Sequence, residues 1–315
     1  MKKQPLVILT GPTSVGKTSL SIALAKAVGG EIISADSMQV YKHMDIGTAK
    51  ISVPEMDGIP HYLVDEFEPE EEFNVVCFQQ LAKEYMKQIY KKGKLPILVG
   101  GTGFYIQAVL YDIDFTSEEN DGSCRTELEA LLQEYGAEYL HDMLRQIDPD
   151  SAGLIHPNNS KRVIRALEYA GQTGDKISRH NKEQRGKDSP YQFCYFVLNR
   201  DRTKLYENIN RRVDLMLRRG LLEEVKALDT KGYPRDLVSM QGLGYKELFA
   251  YLDGTCTLEE AIDILKRDTR HFAKRQLTWF KREKEVLWVN KEDFADDAEI
   301  LHYLITQLKD KEIIS

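Results

Sequence analysis

A short glycine-rich stretch near the amino terminus carries residues whose types and spacing suit phosphate chemistry. Gly11, four variable residues, Gly16, Lys17 and Thr18 match the phosphate-binding loop pattern G-x-x-x-x-G-K-[ST]. Glycines let the backbone wrap so that successive N–H groups point at an anion, and the lysine adds a full positive charge. The pattern predicts phosphate binding, with the Thr18 hydroxyl able to hold Mg²⁺; the alternative is a strand-to-helix turn with an incidental lysine. The predicted loop comprises Gly11, Pro12, Thr13, Ser14, Val15, Gly16, Lys17 and Thr18.

Two more polar segments follow apolar runs that read as strands. Asp36 comes directly after the run 31–35, and Thr102 follows the run 95–99. Because ligands of open parallel sheets bind beyond the carboxyl ends of the strands, both residues are expected near Lys17. A carboxylate there can coordinate magnesium or accept a proton, although Asp36 with Gln39 also resembles a helix capping box. The Thr102 hydroxyl can bind a phosphate or a base, or cap a helix.

An arginine on a later amphipathic segment is a further candidate for binding an anion. The segment 203–219 has an apolar stripe at helical spacing, and Arg212 borders the side that the stripe would bury. A guanidinium held there needs an anion, either a phosphate or the carboxylate of a structural ion pair. The neighbouring Arg211 is expected to point into solvent.

These candidate residues must be positioned by alternating strands and helices. The first 110 residues alternate in this way, which is typical of a parallel α/β sheet. Later residues are mostly helical and polar, except for an apolar run at 192–198 that reads as a strand. We therefore predict an α/β fold: a P-loop-type parallel sheet core flanked by helices, with a helical insertion domain and a helical C-terminal part. The predicted domains are 1–115 with 191–315 for the core, and 116–190 for the insertion.

The element boundaries expected from apolar periodicity are as follows. Strands are predicted at 5–10, 31–35, 61–65, 95–99 and 192–198. Helices are predicted at 17–28, 74–92, 103–110, 125–147, 159–171, 203–219, 220–231, 243–252, 257–284 and 295–310.

Composition narrows the class of protein. The chain has 315 residues, 42% hydrophobic and 30% charged, which is an ordinary globular balance. It has no apolar run long enough for a membrane span, and its first residues read as a strand and not as a signal peptide. Four scattered cysteines argue against a zinc site or a disulfide framework and favour a cytoplasmic location.

The charge distribution is uneven. The net charge is −7, and the segment 65–72 holds six acidic residues. In contrast, the segments 161–187 and 266–284 carry local charges of +5 and +6. An acidic protein can therefore still present two basic faces to the phosphates of a nucleic acid, although such residues can also simply be solvated.

The enzyme classes in which a phosphate-binding loop is most common do not match the rest of the sequence. The strand predicted at 95–99 ends in Gly-Gly where a Walker B strand would end in Asp, and no N-K-x-D guanine motif is present. These absences argue against an ATPase or GTPase. A kinase of a nucleotide or small metabolite remains the alternative function.

Taken together, the motifs resemble the tRNA dimethylallyltransferase family, also called tRNA isopentenyltransferases. The matching stretches run in order over nearly the whole chain and cover residues 11–18, 33–50, 98–105, 155–168, 209–217, 241–247 and 269–282. The resemblance implies transfer of a dimethylallyl group from dimethylallyl diphosphate to the exocyclic amine of the adenosine 3′ of the anticodon. The tRNAs concerned read codons that begin with U. Eukaryotic relatives carry a C-terminal zinc finger that this sequence lacks, which implies the bacterial type.

The resemblance also assigns roles to residues. It implies that Lys17, Thr18 and Arg212 hold the diphosphate, that Thr18 is a ligand of Mg²⁺, and that Asp36 accepts the proton of the amine. It implies that the tRNA anticodon stem-loop is the macromolecular partner, and we expect a monomer without a membrane partner. The residues that the resemblance places at the RNA are Asp36, Ser37, Met38, Gln39, Thr102, Lys161, Arg162, Arg165, Gln241, Gly242, Gly244, Tyr245, Lys246, Arg270, Lys274, Arg275, Gln276, Trp279 and Arg282.

Overall fold

A computed structural model describes residues 3–115 and 123–314 of the chain. It divides into two compact units: the residues up to 110 together with those from 190 onward, and residues 111–189. The ends of the predicted core domains at residues 1, 2 and 315, and the stretch 116–122 of the predicted insertion, lie outside the described residues.

The larger unit is built on one parallel sheet. Its strands are β1 (Gln4–Thr10), β2 (Gly30–Ser34), β3 (His61–Tyr62), β4 (Leu95–Gly100), β5 (Tyr191–Asn199) and β6 (Val286–Asn290). They lie in the order β3-β2-β4-β1-β5-β6, and every pairing is parallel. This sheet, with helices packed around it, confirms the predicted α/β fold.

The pairing of the central strands places the carboxyl ends of β1, β4 and β5 next to one another. Thr10 at the end of β1 pairs with Gly100 of β4 on one side and with Val197 of β5 on the other. The Thr10 hydroxyl also donates a 2.6 Å hydrogen bond to the Gly100 carbonyl. Residues Leu6 to Leu9 are fully buried, as expected for a strand covered on both faces. The chain therefore leaves β1 and β4 side by side at the carboxyl edge of the sheet.

Helices surround this sheet. Within the described residues, every helix is too short or too polar to cross a lipid bilayer. The helices of the larger unit are α1 (Lys17–Val28), α2 (Val53–Met56), α3 (Val75–Lys91), α4 (Gly103–Leu110), α9 (Arg202–Arg218), α10 (Leu221–Thr230), α11 (Tyr245–Leu252), α12 (Leu258–Phe280) and α13 (Asp297–Asp310).

Two predicted elements of this unit were wrong in extent. The strand predicted at 61–65 ends at Tyr62, because Leu63 and Asp65 adopt positive φ values of 60° and 61°. The helix predicted at 257–284 ends at Phe280, and Glu285 (φ 55°) turns the chain into β6, which was not predicted.

The smaller unit is helical. Its core packs Leu128, Leu140 and Leu144 against the apolar face of the helix at 160–173. Lys161, Arg162 and Arg165 lie exposed on that helix, and Arg165 lies 3.5 Å from the carboxylate of Glu168. The helices of this unit are α5 (Ser123–Ile147), which is kinked at Gly136, α6 (Pro149–Leu154), α7 (Ser160–Thr173) and α8 (Ile177–Gly186).

Candidate active site

The loop between β1 and α1 has the geometry of an anion cradle. Gly11 and Gly16 adopt φ values of +147° and +95°, which side chains rarely permit. A Cβ atom at Gly11 would lie 2.5 Å from the Leu198 carbonyl oxygen, so this position also requires glycine for space. Gly16 is the residue before the first turn of α1, and the N–H groups of that turn face the loop.

Lys17 bends back over this loop. Its ammonium donates hydrogen bonds to the carbonyl oxygens of Gly11 (2.9 Å) and Pro12 (2.8 Å). Removal from water and, to a lesser degree, the positive charge of Arg212 lower the pKa of Lys17 to about 8, while Asp36 opposes this shift. Lys17 therefore remains a cation at neutral pH, in a position where an added anion would stabilise it.

Arg212 lies on the side of α9 that the sequence indicated. Leu205, Ile209 and Val213 of this helix are buried, and Arg212 beside them lines the same cavity as Lys17. Burial lowers the pKa of Arg212 below its usual value and the carboxylate of Asp36 opposes the shift, so the two side chains interact. The guanidinium stays charged at any pH that a protein experiences.

Asp36 begins a turn and not a helix. Its Oδ1 accepts hydrogen bonds from the N–H groups of Met38 (2.9 Å) and Gln39 (3.4 Å), but residues 37–40 are not helical. The Gln39 amide donates instead to the carbonyls of Thr48 and Ala49, which rules out the capping box. Among the described residues, Oδ2 of Asp36 has no hydrogen-bond partner, so one carboxylate oxygen is free to accept a proton.

Thr102 lies close to this turn. Its hydroxyl accepts a 3.3 Å hydrogen bond from the N–H group of Ser37, which links the loops that follow β2 and β4. Its carbonyl accepts the first hydrogen bonds of α4, from Tyr105 and Ile106. Thr102 thus begins a helix and also lines the cavity.

These residues surround one cavity of about 890 Å³. A volume of this size lies near the upper end of the usual ligand pockets, about 300–1,000 Å³, and has room for two small groups. The predicted residues that line it are Thr13, Ser14, Gly16, Lys17, Thr18, Asp36, Ser37, Met38, Gln39, Thr102, Arg212, Gln241, Gly242, Gly244, Tyr245, Lys246, Arg275 and Gln276.

Other predicted residues lie elsewhere. Val15 is buried in the core of the larger unit, and the Arg270 guanidinium donates a 2.7 Å hydrogen bond to Asn210. Four predicted RNA residues, on α12 and directly after it, help to line a second cavity of about 400 Å³, and Arg275 lines both cavities. The residues around the second cavity are His271, Lys274, Arg275, Thr278, Trp279 and Arg282.

Two polar residues of α9 that line the cavity were not among the predicted site residues. Arg211 is exposed as predicted, yet it lines the cavity and does not point away from it. Asn208, one turn before Arg212 on α9, also lines the cavity, and its amide lies 3.5 Å from the Ser14 carbonyl. Helical spacing from Arg212 could have identified Asn208, because residues four apart share a face.

Tyr245 supports the cavity wall from below the surface. It is fully buried, and its hydroxyl donates a 2.7 Å hydrogen bond to Glu224. The Glu224 carboxylate also accepts hydrogen bonds from the N–H groups of Asp45 (2.9 Å), Ile46 (2.7 Å) and Gly47 (3.0 Å). Glu224 therefore fixes the loop that lines the cavity at Gly47, and the Tyr245 hydroxyl is used within the protein. A contact of Tyr245 with RNA stays a prediction.

Comparisons with known proteins identify the family of this chain. A family model described as IPP transferase matches residues 39–283. A protein named tRNA dimethylallyltransferase from Lachnoclostridium phytofermentans is 66% identical over 99% of both chains. One of the same name from Clostridioides difficile is 50% identical over 98% of this chain and 99% of its own.

Comparison with solved structures indicates the same family. A tRNA isopentenylpyrophosphate transferase from Bacillus halodurans superposes with a TM-score of 0.73, at 47% identity over 98% of both chains. A eukaryotic dimethylallyltransferase acting on tRNA superposes with a TM-score of 0.82, at 28% identity over 98% of this chain and 80% of that one. With a family model spanning most of its length and bacterial relatives at this identity, the chain belongs to the tRNA dimethylallyltransferase family and is of the bacterial type.

Proposed function

We propose that this protein transfers the dimethylallyl group of dimethylallyl diphosphate to N6 of the adenosine immediately 3′ of the anticodon. The tRNAs concerned are those that read codons beginning with U. Family membership supports this reaction, since relatives at 50–66% identity are named tRNA dimethylallyltransferase. The observation that carries the proposal is that Lys17, Arg212 and Asp36 line one cavity, near enough to interact electrostatically. Two cations and one carboxylate are what departure of a diphosphate and removal of a proton require.

The loop binds the diphosphate end of the donor. Lys17 and Arg212 offset the negative charge that grows on the bridging oxygen as it leaves, and the N–H groups at the start of α1 contribute fixed dipoles. The amide of Asn208 and the guanidinium of Arg211 lie on the same wall and can contact the outer phosphate.

The donor set of the loop also suits Mg²⁺. Within the described residues, no three His, Cys, Asp or Glu side chains cluster to form a metal site on their own. Magnesium typically binds one or two protein oxygens together with phosphate oxygens and water, and the exposed Thr18 hydroxyl beside the loop meets that need. When bound, the ion would add positive charge to the leaving diphosphate.

Asp36 acts on the acceptor. The exocyclic amine of adenine is a weak nucleophile because its lone pair is delocalised into the ring. As N6 bonds to the allylic carbon, the bond from that carbon to the diphosphate breaks and its electron pair leaves with the diphosphate. The amine proton then passes to the free Oδ2 of Asp36, while the Met38 and Gln39 N–H groups hold Oδ1.

The adenosine must leave its stack to reach this cavity. Such extrusion is usual for enzymes that modify a base, and single-stranded loops make it easier. We propose that Ser37, Met38, Gln39 and Thr102 surround the extruded base. The basic residues around the second cavity would then contact the anticodon loop, and Lys161, Arg162 and Arg165 of the helical unit would contact the stem.

We further propose that the protein works as a monomer in the cytoplasm. All the residues that line the main cavity come from one unit of a single chain. The described residues contain no disulfide, which suits a reducing compartment.

Mass spectrometry of tRNA tests this function. After incubation with the protein, Mg²⁺ and dimethylallyl diphosphate, a tRNA reading a U-initial codon should gain one five-carbon unit on one adenosine. The same tRNA with guanosine at that position is the control and should not change. An unmodified tRNA together with ATP turnover on a small acceptor would instead support the kinase alternative and contradict this proposal.

A further inference from the structure

The side-chain amide of Gln276 joins two loops of the active site. Its Oε1 accepts a 2.9 Å hydrogen bond from the N–H group of Thr13, in the phosphate loop. Its Nε2 donates a 2.9 Å hydrogen bond to the carbonyl of Gly101, at the end of β4. Gln276 is 6% exposed, so neither hydrogen bond competes strongly with water. Both polar groups of this side chain thus form hydrogen bonds within the protein, and its contact with RNA stays a prediction.

Gly101 has no side chain, and this leaves the space that the Gln276 amide occupies. A Cβ atom at Gly101 would lie 2.1 Å from Nε2 of Gln276, closer than any real contact. Glutamine is also the residue that the geometry demands, because one end of its side chain only accepts and the other only donates. A glutamate would place an acceptor against the Gly101 carbonyl, and an apolar side chain would leave both loops without their partner.

The bridge starts from the helix that carries the predicted RNA contacts. Arg275, the preceding residue on α12, lines both cavities, and Trp279, one turn later, packs against Gly103. On the other side of the bridge, Thr102 follows Gly101 and accepts the hydrogen bond from Ser37. Gln276 thus lies where α12, the phosphate loop and the loop beside Asp36 meet.

We propose that Gln276 is a positioning residue that sets the phosphate loop at a fixed distance from the Gly101–Thr102 turn. It thereby sets the position of the diphosphate relative to the base that Asp36 deprotonates. This inference rests on the proposed function for its catalytic consequence, but its effect on diphosphate binding is independent of that function. Because the Thr13 N–H group is committed to Gln276, the amides left for the diphosphate begin at Ser14.

The test compares Gln276→Met with the wild type in binding and turnover. Methionine has nearly the same length and loses both hydrogen bonds without adding charge. We expect affinity for Mg²⁺–pyrophosphate, measured by calorimetry, to fall about tenfold, with a comparable rise in KM for dimethylallyl diphosphate. Because the loop and the base also lose their alignment, kcat falls as well, while the Kd for tRNA stays within about twofold. The exposed Gln88 of α3 is the matched control, and Gln88→Met should change none of these values.

Gln276→Glu adds a pH readout that a merely structural residue would not produce. Protonated glutamic acid can accept from Thr13 and donate to Gly101, whereas the carboxylate cannot donate. Burial against a carbonyl raises the pKa of such an acid, so activity relative to wild type should recover as the pH falls from about 8 towards about 6. Both the variant and the wild type contain the charged side chains that line the cavity, so the titration of these groups cancels in the ratio of the two activities. These side chains are Lys17, Asp36, Glu55, Arg211, Arg212, Lys246 and Arg275. Gln276→Met should show no such recovery.

A double-mutant cycle covers the case in which these variants fold poorly. Gly101→Ala displaces the Gln276 amide without changing it, so it should weaken pyrophosphate binding in wild type but have little effect in a Gln276→Ala background. Additive effects, or a folded Gln276→Met with wild-type pyrophosphate affinity, would overturn the proposal. A wild type that binds pyrophosphate but leaves tRNA unmodified would refute the transferase function and leave the role of Gln276 in binding still measurable.

Discussion

Arg212 lies close enough to Lys17 for its positive charge to lower the pKa of the Lys17 ammonium, adding to the larger effect of removal from water. The result is a pKa of about 8, against about 10.4 for a free lysine. Below pH 8, Lys17 is protonated in both the folded and the unfolded chain. From about pH 8 to 10.4 only the unfolded chain keeps this proton, so the free energy of unfolding should rise with pH in this range. A diphosphate bound between the two cations would relieve this repulsion.

The first prediction concerns the pH dependence of diphosphate binding. Affinity for dimethylallyl diphosphate should be nearly constant below pH 8 and should fall above it, because Lys17 then loses its proton. Calorimetric titrations across this range provide the measurement. Lys17→Arg keeps the charge and should remove the fall above pH 8. If wild type and Lys17→Arg follow the same curve, Lys17 does not contact the diphosphate.

The second prediction separates the charge of Arg212 from its shape. Arg212→Met should weaken binding of dimethylallyl diphosphate by one to two orders of magnitude, since it removes a half-buried charge-assisted contact worth about 1.5–3 kcal/mol. Arg212→Lys should recover part of the affinity but not the bidentate geometry. Arg218, an exposed arginine in the last turn of α9, is the matched control, and Arg218→Met should bind normally. Equal affinities for the Arg212 and Arg218 variants would exclude the predicted role.

The third prediction concerns Glu224, which the sequence did not indicate. Glu224→Gln places an amide N–H₂ against the backbone N–H groups of Asp45 and Ile46 or against that of Gly47, and these groups can only donate. We expect a loss of about 2–3 kcal/mol in the free energy of unfolding and a higher KM for tRNA, because the loop at Gly47 loosens. Urea unfolding measures the first and steady-state kinetics the second. Its exposed neighbour provides the control: Glu223→Gln should keep wild-type stability.

The fourth prediction concerns the proton acceptor. Asp36→Asn should reduce kcat for transfer by at least about a hundredfold, as is usual for loss of a general base, with little change in the Kd for tRNA. The side-chain carbonyl oxygen of the substituted asparagine can still accept from the Met38 and Gln39 N–H groups, so the turn is expected to survive. Single-turnover assays with saturating donor make the comparison. Transfer within a few-fold of wild type would remove Asp36 from this role.

The sequence predicted the main parts of the sheet because their signals are local. Residues Leu6 to Thr10 form an apolar β-branched run before a glycine loop, and Arg212 follows from the helical periodicity of its neighbours. Such patterns depend on a few adjacent residues and survive in any tertiary context.

What the sequence did not predict depends on contacts between distant residues. The bridge from Thr13 to Gln276 spans 263 positions, and the hydrogen bond from Gly47 to Glu224 spans 177. Strand β6 has only five residues, and its apolar run alone could not distinguish it from the end of a helix. The sequence also did not predict the internal hydrogen bonds of Tyr245 and Gln276, because a motif indicates that a residue matters and not whether its side chain supports a loop.

The most direct test of this account is the structure of the protein bound to a tRNA anticodon stem-loop and an unreactive thio analogue of dimethylallyl diphosphate. We expect a diphosphate held by residues 14–18 and Arg212, and an extruded adenine whose N6 lies about 3 Å from Oδ2 of Asp36. A diphosphate bound away from the loop, or an Asp36 carboxylate that faces no base, would contradict it.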